Sequence, residues 1–268
     1  MQEMSFKIEH LLPYLKENID TDRIHIYQCL QSTNDTAKEL AKNKCPHGTV
    51  VIASAQTAGR GRFNRSFFSP DSTGLYISFV LDKDKLGLRE STLLTPMTAV
   101  ITSKVIHNVT SKKCGIKWVN DLYLEDKKVC GILTEGVLDG QELSRFVVGI
   151  GINIGTKEFP PELENVAGAL FMNAESECLE VRNHMAAELI NELTKENVFD
   201  NTEKLMSEYK ESQIIMGKIV DVINVNEIYE ARVLEIDDLG CLVVERTDGM
   251  DANRIEKLIS GEVSIRRR

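Results

Sequence analysis

The sequence IKWVNDLYLEDKKVCGILTEGVLDGQELSRFVVGIGINI, residues 116–154, decides the fold class. Asp126-Lys127 and Asp139-Gly140 divide it at positions typical of tight turns, and the runs between them are rich in β-branched and other apolar residues. Because the runs follow one another closely, neighbouring runs are expected to pair antiparallel. The stretch therefore predicts a three-stranded meander formed by Ile116–Leu124, Lys128–Leu138 and Ser144–Ile154.

The residues on both sides extend this meander into an α+β fold. Strands are predicted at Ile24–Tyr27, Thr49–Ala55 and Gly74–Leu81. Helical spacing predicts a small helical piece within 4–18, a long amphipathic helix over 93–106, and helices over 177–196 and 202–212. Ser32-Thr33-Asn34-Asp35 offers N-cap chemistry for a further helix that runs to about Lys42. Residues 156–168 are predicted to form a loop. After Gly217 four short runs predict a separate small β-barrel: Ile219–Val225, Tyr229–Ile236, Cys241–Glu245 and Gly261–Arg266.

The composition excludes several classes of protein. The 268 residues include 32 basic and 41 acidic residues, a net charge of −9, which argues against a general nucleic-acid or membrane-surface binder. We find no signal peptide and no apolar run of about 18 residues, the length that a membrane span needs. The six cysteines are too scattered for a zinc ribbon or a Cys-x-x-Cys motif, so we expect buried free thiols. These features predict a soluble, cytoplasmic protein.

A local reversal of charge interrupts this acidic chain. No acidic residue lies between Glu39 and Asp71, and the sequence Gly-Arg-Gly-Arg-Phe-Asn-Arg occupies residues 59–65. Glycines let a backbone approach a ligand closely, and guanidinium groups match the geometry of phosphates and carboxylates. A solvated basic loop or an RNA-binding patch explains the loop equally well when it is taken alone. A Walker A loop is excluded because no Gly-Lys-Ser/Thr follows.

Two further motifs are ambiguous in isolation. Residues 117–121, Lys-Trp-Val-Asn-Asp, provide a lysine for phosphate and a carboxylate for a metal, but a core tryptophan before a turn is the favoured explanation. Lys128 is more often exposed than catalytic at such a position. Gly149 and Gly151 alternate on one strand and leave one face bare, which suits either a flat ligand or close packing. A Rossmann motif is excluded, because Ile154 occupies the position of the third glycine.

The order of these motifs resembles that of the biotin protein ligases, over roughly residues 24–268. The motifs that carry the resemblance are Ser32-Thr33-Asn34, Gln56 with Gly59-Arg60-Gly61-Arg62-x-x-Arg65, Lys117-Trp118-x-Asn120-Asp121, Lys128-x-x-Gly131-Ile132-Leu133, Gly149-x-Gly151-Ile152-Asn153 and the ending Leu258–Ser264. The resemblance implies a mixed, mostly antiparallel sheet flanked by helices, as in biotin and lipoate ligases and related to class II synthetases. It also implies an N-terminal extension over 1–23, a catalytic domain over 24–213 and an SH3-like domain over 216–268.

The resemblance further implies a two-step reaction with ATP, biotin and Mg²⁺. Biotin is first converted to biotinyl-5′-AMP and then transferred to a lysine of a biotin carboxyl carrier protein domain. The biotin-binding residues it implies are Ser32, Thr33, Asn34, Gln56, Gly59, Arg60, Arg62, Lys128, Gly131, Gly149 and Gly151. The ATP and adenylate residues it implies are Arg62, Arg65, Phe67, Lys117, Asn120, Asp121, Lys128 and Asn153. The catalytic set it implies is Lys128, Arg62, Asp121 and Lys117, with Mg²⁺ near Asp121.

The chain departs from the family pattern at two positions, and one domain that some members have is not expected in it. Val119 stands where the family usually has proline, and Phe67 where it usually has tryptophan. Only about two dozen residues precede the first predicted strand, so we expect no helix-turn-helix domain and no binding of operator DNA. The rival hypotheses are a lipoate-protein ligase and an inactive module that binds a partner through residues 217–268. The predicted assembly is a monomer or a homodimer.

Overall fold

A seven-stranded mixed sheet forms the centre of the protein. The computed structural model describes residues 6–171, 176–223, 227–249 and 252–265. The strands are β1 (Ile24–Leu30), β2 (Thr49–Gln56), β3 (Gly74–Asp82), β4 (Gly115–Lys117), β5 (Asp121–Leu124), β6 (Lys127–Asp139) and β7 (Glu142–Asn153). Their spatial order is β1-β2-β3-β7-β6-β5-β4, and only β1 and β2 pair in parallel. The prediction of a mixed, mostly antiparallel sheet is confirmed.

Helices cover both faces of this sheet. They are α1 (Ile8–Leu11), α2 (Thr33–Lys42), α3 (Leu94–Thr110), α4 (Ser176–Leu193) and α5 (Thr202–Glu211). Alternate residues of β2 point to opposite faces: Val51 packs in a small cluster with Ala37 of α2, whereas Val50 and Ile52 join the main core. Because side chains alternate along a strand, each face of the sheet presents an apolar surface to the helices that pack on it.

Helix α3 is more deeply buried than its predicted amphipathic pattern indicates. Ten of its seventeen residues are buried, since it lies between the sheet and the helices α4 and α5. Pro96 occupies the first turn, where the missing N–H is not needed by the helix. The helix ends at Ser111, whose backbone is left-handed (φ 59°).

The predicted strand Ile116–Leu124 was wrong as one continuous element. The chain forms β4 and β5 with a turn over 118–120 between them. The physical reason is Trp118, which is only 3% exposed and whose indole Nε1 donates to the carbonyl of Gly240 at 2.9 Å. In a straight strand the face on which Trp118 lies would follow from the alternation of side chains. In the turn, its side chain instead reaches Gly240 in the C-terminal part of the chain.

A second, five-stranded antiparallel sheet follows α5. Its strands are β8 (Ile219–Ile223), β9 (Ile228–Ile236), β10 (Leu242–Arg246), β11 (Ile255–Leu258) and β12 (Glu262–Ile265), in the order β11-β10-β9-β8-β12. Strand β11, whose four residues include two charged ones, is not among the predicted runs. The predicted ends at residues 224–225 and 266 lie outside the described residues. Apolar side chains of both sheets belong to one core cluster, so the second sheet packs against the rest of the chain.

Other predictions about the chain are met in part. All six cysteines are free; four are buried, while Cys29 is exposed and Cys45 is half-buried. The N-terminal helical piece is only the four-residue α1, and residues 4–5 fall outside the described part. Within the described residues, no helix combines the length and the apolar character that crossing a bilayer would require.

We expect the main core to dominate stability. Leu189 of α4 is fully buried, whereas Leu12 is 51% exposed. Leu189→Ala should lower the free energy of unfolding in urea by about 3 kcal/mol, since it removes buried methyl groups and leaves a cavity. Leu12→Ala is the matched control and should change it by less than about 0.5 kcal/mol. Equal losses in the two variants would contradict this assignment of the core.

Candidate functional site

One cavity of about 230 Å³ collects nearly all of the predicted site residues. It lies where the ends of β2, β5, β6 and β7 meet the loop over 59–67 and strand β12. The predicted residues that line it are Ser32, Thr33, Asn34, Gln56, Arg60, Arg62, Arg65, Phe67, Lys117, Asn120, Asp121, Lys128, Gly131, Gly149, Gly151 and Asn153. Positions far apart in sequence thus share one site.

Gly59 is the predicted residue that lies outside this lining. A Cβ atom at Gly59 would lie 2.5 Å from the Phe67 carbonyl oxygen and 2.7 Å from the Ser69 hydroxyl. The Phe67 amide also donates to the Gly59 carbonyl at 2.8 Å. Glycine is therefore required at 59 because two chain segments approach closely behind the cavity wall.

The basic loop folds back on itself and directs Arg62 inward. The Gly61 amide donates to the Arg65 carbonyl at 2.7 Å, and Phe63 and Asn64 both have left-handed backbones (φ 54° and 59°). Arg62 is half-buried, whereas Phe63 is 57% exposed. Burial lowers the pKa of Arg62, and the carboxylates of Asp121 and Glu262 oppose that shift.

The other cations gather around the turn between β4 and β5. Lys128 Nζ lies 2.7 Å from Asp121 Oδ1, and Arg62 Nη1 donates to Asn120 Oδ1 at 3.1 Å. Burial lowers the pKa of Lys117, and Asp121 opposes this shift. Such a cluster of positive groups beside one carboxylate can bind a multiply charged anion such as a polyphosphate.

The opposite end of the cavity is polar and mainly uncharged. Gln56 Oε1 accepts hydrogen bonds from the Thr33 amide at 2.8 Å and from its hydroxyl at 3.2 Å. Gln56 Nε2 donates to the Ser69 hydroxyl at 2.8 Å, and the Ser32 hydroxyl accepts from the Asp35 amide at the start of α2. These groups offer donors and acceptors to a neutral polar ligand.

Arg60 lies at the rim of this end. Its Nη1 donates to Asp35 Oδ1 at 2.6 Å, and this bond raises the pKa of the Arg60 guanidinium. Its Nη2 lies 3.5 Å from Glu135. The side chain is therefore engaged with acids of the chain itself.

Asn34 is held by the protein on both sides of its amide. Its Nδ2 donates to Glu135 Oε2 at 2.9 Å, and its Oδ1 lies 2.7 Å from the Ser78 hydroxyl. A Cβ atom at Gly149 would lie only 1.9 Å from Asn34 Oδ1. Gly149 thus leaves room for Asn34, and sequence analysis missed both Glu135 and Ser78 as its partners.

The glycine face that sequence analysis expected to be bare carries an aromatic ring. A Cβ atom at Gly151 would lie 2.5 Å from Phe67 Cε1, and one at Gly131 would lie 3.2 Å from Phe67 Cε2. Phe67 in turn packs edge-on against Tyr76, with their ring centroids 6.4 Å apart. The strand glycines therefore do accommodate a flat group, and in this structure it is a side chain of the protein.

Asn153 closes the cavity near the loop over 156–168. It is 4% exposed, and its Nδ2 donates to the Gly168 carbonyl at 3.0 Å. That loop contributes apolar lining residues which sequence analysis described only as a loop: Phe159, Leu163, Val166 and Ala167.

Glu262 of β12 is the charged lining residue that sequence analysis overlooked. It forms an ion pair with Arg65, 197 positions away in the chain. Residues 258–264 belong to the motifs that resemble the family, but nothing in that pattern predicts that the Glu262 carboxylate faces the cavity. Strand β12 is thus part of the cavity wall.

The carboxylates of the cavity do not form a closed metal cage. Among the described residues, no group of three His, Cys, Asp or Glu side chains could hold a metal ion by itself. Asp121 and Glu262 are the acidic residues of the described lining. A divalent cation here would need ligands from a bound phosphate as well.

Known proteins are similar to this chain over most of its length. The Biotin/lipoate A/B protein ligase family matches residues 26–153. The bifunctional ligase/repressor BirA of Bacillus subtilis is 30% identical over 267 residues, which cover 94% of this chain and 76% of that protein. The biotin--[acetyl-CoA-carboxylase] ligase of Mycobacterium tuberculosis is 25% identical over 197 residues, or 71% of each chain.

A solved structure matches the fold of most of the chain. The biotin protein ligase from Aquifex aeolicus, in complex with biotin and ATP, has a TM-score of 0.65 and 26% identity, and the match covers 91% of this chain and 99% of that one. The similarity in sequence and in fold therefore extends from the seven-stranded sheet into the C-terminal sheet. Taken with the cavity, it shows that this chain belongs to the Biotin/lipoate A/B protein ligase family.

Proposed function

We propose that the protein is a biotin–protein ligase that forms biotinyl-5′-AMP from biotin and ATP and transfers biotin to a lysine of a carrier domain. The observation that carries this proposal is the union, in one cavity, of a cationic end around Lys128 and Arg62 with a neutral polar end around Thr33 and Gln56. Biotinyl-5′-AMP is divided in the same way as the cavity, since it has an anionic phosphate in one part and the neutral ureido group of biotin in another. Relatives named as biotin ligases support the choice of acid.

In the first step a carboxylate oxygen of biotin attacks the α-phosphorus of ATP, and the bond to pyrophosphate breaks. Two anions must meet, so their repulsion has to be offset. Lys128, beside Asp121, is suited to bridge the biotin carboxylate and the α-phosphate. Lys117 and Arg62 stabilise the charge on the phosphate oxygens, and Asn120 fixes the Arg62 guanidinium. Positioning and charge supply most of the catalysis in such a transfer.

The donor set near Asp121 fits Mg²⁺. This ion usually binds one or two carboxylates together with phosphate oxygens and water, and the described cavity provides Asp121 rather than a complete cage. Asp121 would hold Mg²⁺ together with the ATP phosphates, where the ion would neutralise negative charge.

We propose that the neutral end recognises the ureido group of biotin. Ser32, Thr33 and Gln56 supply donors and acceptors there, and Arg60 assists through its backbone. Gly131 and Gly151 form the floor under the ring system, and Gly149 leaves room for Asn34 beside it. For a ligand ring to lie on Gly131 and Gly151, the Phe67 ring has to turn away from its present position. Phe67 and Asn153 then face the adenine.

In the second step the amine of a carrier lysine attacks the acyl carbon of the mixed anhydride. The amide bond forms, the bond to the AMP phosphate breaks, and the amine loses a proton. Arg62 and Arg65 retain the adenylate until this attack. Arg65 exchanges its partner Glu262 for the phosphate when the nucleotide is bound.

We propose the functional division 1–23, 24–213 and 216–268, with the last segment acting as part of the active site. Glu262 in the cavity wall supports this role over that of an inactive module that only recruits a partner. The need for ATP and a carrier domain supports a cytoplasmic location.

The decisive experiment incubates the purified protein with ATP, Mg²⁺, a carrier domain and either biotin or lipoic acid. We expect a mass gain of one biotinyl group on the carrier, with lipoic acid much less effective. A gain with lipoic acid alone would establish the rival ligase. The absence of both a mass gain and biotin-dependent ATP–pyrophosphate exchange would refute ligase activity.

Lys128→Ala should lower biotin-dependent ATP–pyrophosphate exchange by about 10²-fold, since it removes a charge from the reacting oxygens. The matched control is Lys127→Ala, because Lys127 is the neighbouring residue on β6 and donates to the Glu164 carbonyl outside the cavity lining. The control should keep nearly full activity. Near-normal exchange in Lys128→Ala would exclude the bridging role.

Arg62→Gly should release biotinyl-AMP into solution, because the half-buried guanidinium no longer holds the phosphate. We expect biotin to appear on lysines of a bystander protein such as albumin, detected by streptavidin blotting. Arg89→Gly changes an exposed arginine away from the cavity and should retain carrier specificity. Strict carrier specificity in Arg62→Gly would count against retention of the adenylate by this residue.

We also propose that this chain does not act as a DNA-binding repressor. Its net charge of −9 opposes binding to the phosphates of DNA. In 0.15 M salt with biotin and ATP, the protein should retain no particular fragment from a pool of genomic DNA. Selective retention of one fragment would contradict this expectation.

A further inference from the structure

The turn over 118–120 places the groups that are proposed to bind phosphate, and it is restrained from several sides. The Trp118 indole donates to the Gly240 carbonyl. Asn120 Nδ2 donates to the Ile132 carbonyl at 2.9 Å, and the Ile132 amide donates back to the Asn120 carbonyl at 3.0 Å. These bonds restrain the first and last residues of the turn. The carbonyl of Val119, between them, requires its own partner.

That partner comes from helix α5. The Tyr209 hydroxyl donates to the Val119 carbonyl at 3.1 Å, and the Tyr209 side chain is fully buried. The helix is anchored to the same hairpin, because the Ile116 amide donates to the Ser212 carbonyl and the Ile214 amide to the Ile116 carbonyl. The hydroxyl is thus presented to the turn from a rigid support.

We propose that Tyr209 is a positioning residue for the ATP end of the site: its hydroxyl fixes the Val119 peptide and, through it, the contact between Asn120 and Arg62. The proposal rests on the proposed ligase function. Tyr209 is absent from the described lining of the cavity, so it acts through the turn and not by touching a ligand. Burial raises the pKa of the Tyr209 phenol, so the hydroxyl keeps its proton and remains a donor.

The geometry explains why one hydroxyl matters here. The Val119 carbonyl and the Asn120 amide belong to one planar peptide, so a rotation of that plane moves the Asn120 Cα and its side chain. Asn120 Oδ1 accepts from Arg62 Nη1 at 3.1 Å, and Asp121, the partner of Lys128, follows directly.

The inference predicts a defect at one end of the cavity only. The Thr33–Gln56 hydrogen bonds belong to β2 and α2 and share no contact with the turn. Loss of the hydroxyl should therefore weaken the use of ATP while the handling of biotin is preserved. A residue that serves stability alone would affect both substrates equally.

The test compares Tyr209→Phe with Tyr229→Phe in the full chain by ATP–pyrophosphate exchange. Tyr229→Phe also removes a hydrogen bond made by the hydroxyl of a buried ring, in this case to Glu256 at 2.7 Å. Tyr229 lies in the C-terminal sheet and is not part of the described cavity lining. We expect Tyr209→Phe to lower kcat/KM for ATP about tenfold and to leave KM for biotin within about twofold, since the change is confined to orientation of the phosphate-binding groups. Tyr229→Phe should match the unaltered protein.

A double-mutant cycle with Asn120→Ala tests the route of the effect. If Tyr209 acts through Asn120, then Tyr209→Phe should add less than about twofold in the Asn120→Ala background. Unchanged ATP kinetics in Tyr209→Phe, equal changes for ATP and biotin, or full additivity in the cycle would overturn the inference. Tyr209→Met, which also lacks the hydroxyl, takes the place of the Phe variant if that protein does not fold.

Measurements on the unaltered protein distinguish failure of the proposed ligase function from failure of the proposed role of Tyr209. The absence of both biotin-dependent exchange and carrier biotinylation in the unaltered protein would refute the ligase function itself. Normal exchange there, together with a Tyr209→Phe variant that behaves identically, would refute only the role of Tyr209.

Discussion

The arrangement of the cavity depends on the ion pair between Lys128 and Asp121, 2.7 Å apart. Like charges repel strongly where water is scarce, so a cluster of cations needs carboxylates among them. The described lining carries five cations, Arg60, Arg62, Arg65, Lys117 and Lys128, and two carboxylates, Asp121 and Glu262, a formal excess of three positive charges. A chain with a net charge of −9 thus keeps a local site that a polyphosphate can neutralise.

The two carboxylates, Asp121 and Glu262, come from different sheets, so both sheets contribute to one site. Asp121 begins β5 of the large sheet, whereas Glu262 begins β12 of the small one. Trp118 adds a second connection through its bond to Gly240. The distance from the basic loop over 59–65 to Lys128 and Asp121 therefore depends on how the C-terminal sheet packs, as well as on the large sheet itself.

Many strands, helices and site residues could be predicted from the sequence, because alternating apolar residues, glycines and arginines are visible as local patterns along the chain. The loop over 59–65, Lys128 and the strand with Gly149 and Gly151 are assigned to one site by the resemblance of the motif order to that of the biotin protein ligases. The turn at Trp118 could not be predicted, since a distant carbonyl, that of Gly240, determines where the indole lies. The same holds for Glu262, whose ion pair with Arg65 exists only after folding.

The position of Phe67 has a consequence for how the site responds to its substrate. The ring lies against Gly131 and Gly151, so the apolar floor of the cavity is covered before any ligand arrives. A ligand ring can take that place only in those molecules in which the phenyl group has turned away. Its apparent dissociation constant is the intrinsic constant divided by the fraction of such molecules. The Phe67 ring would thereby compete with a ligand ring for the surface of Gly131 and Gly151, and Phe67 closely follows the loop over 59–65 that is proposed to hold the adenylate.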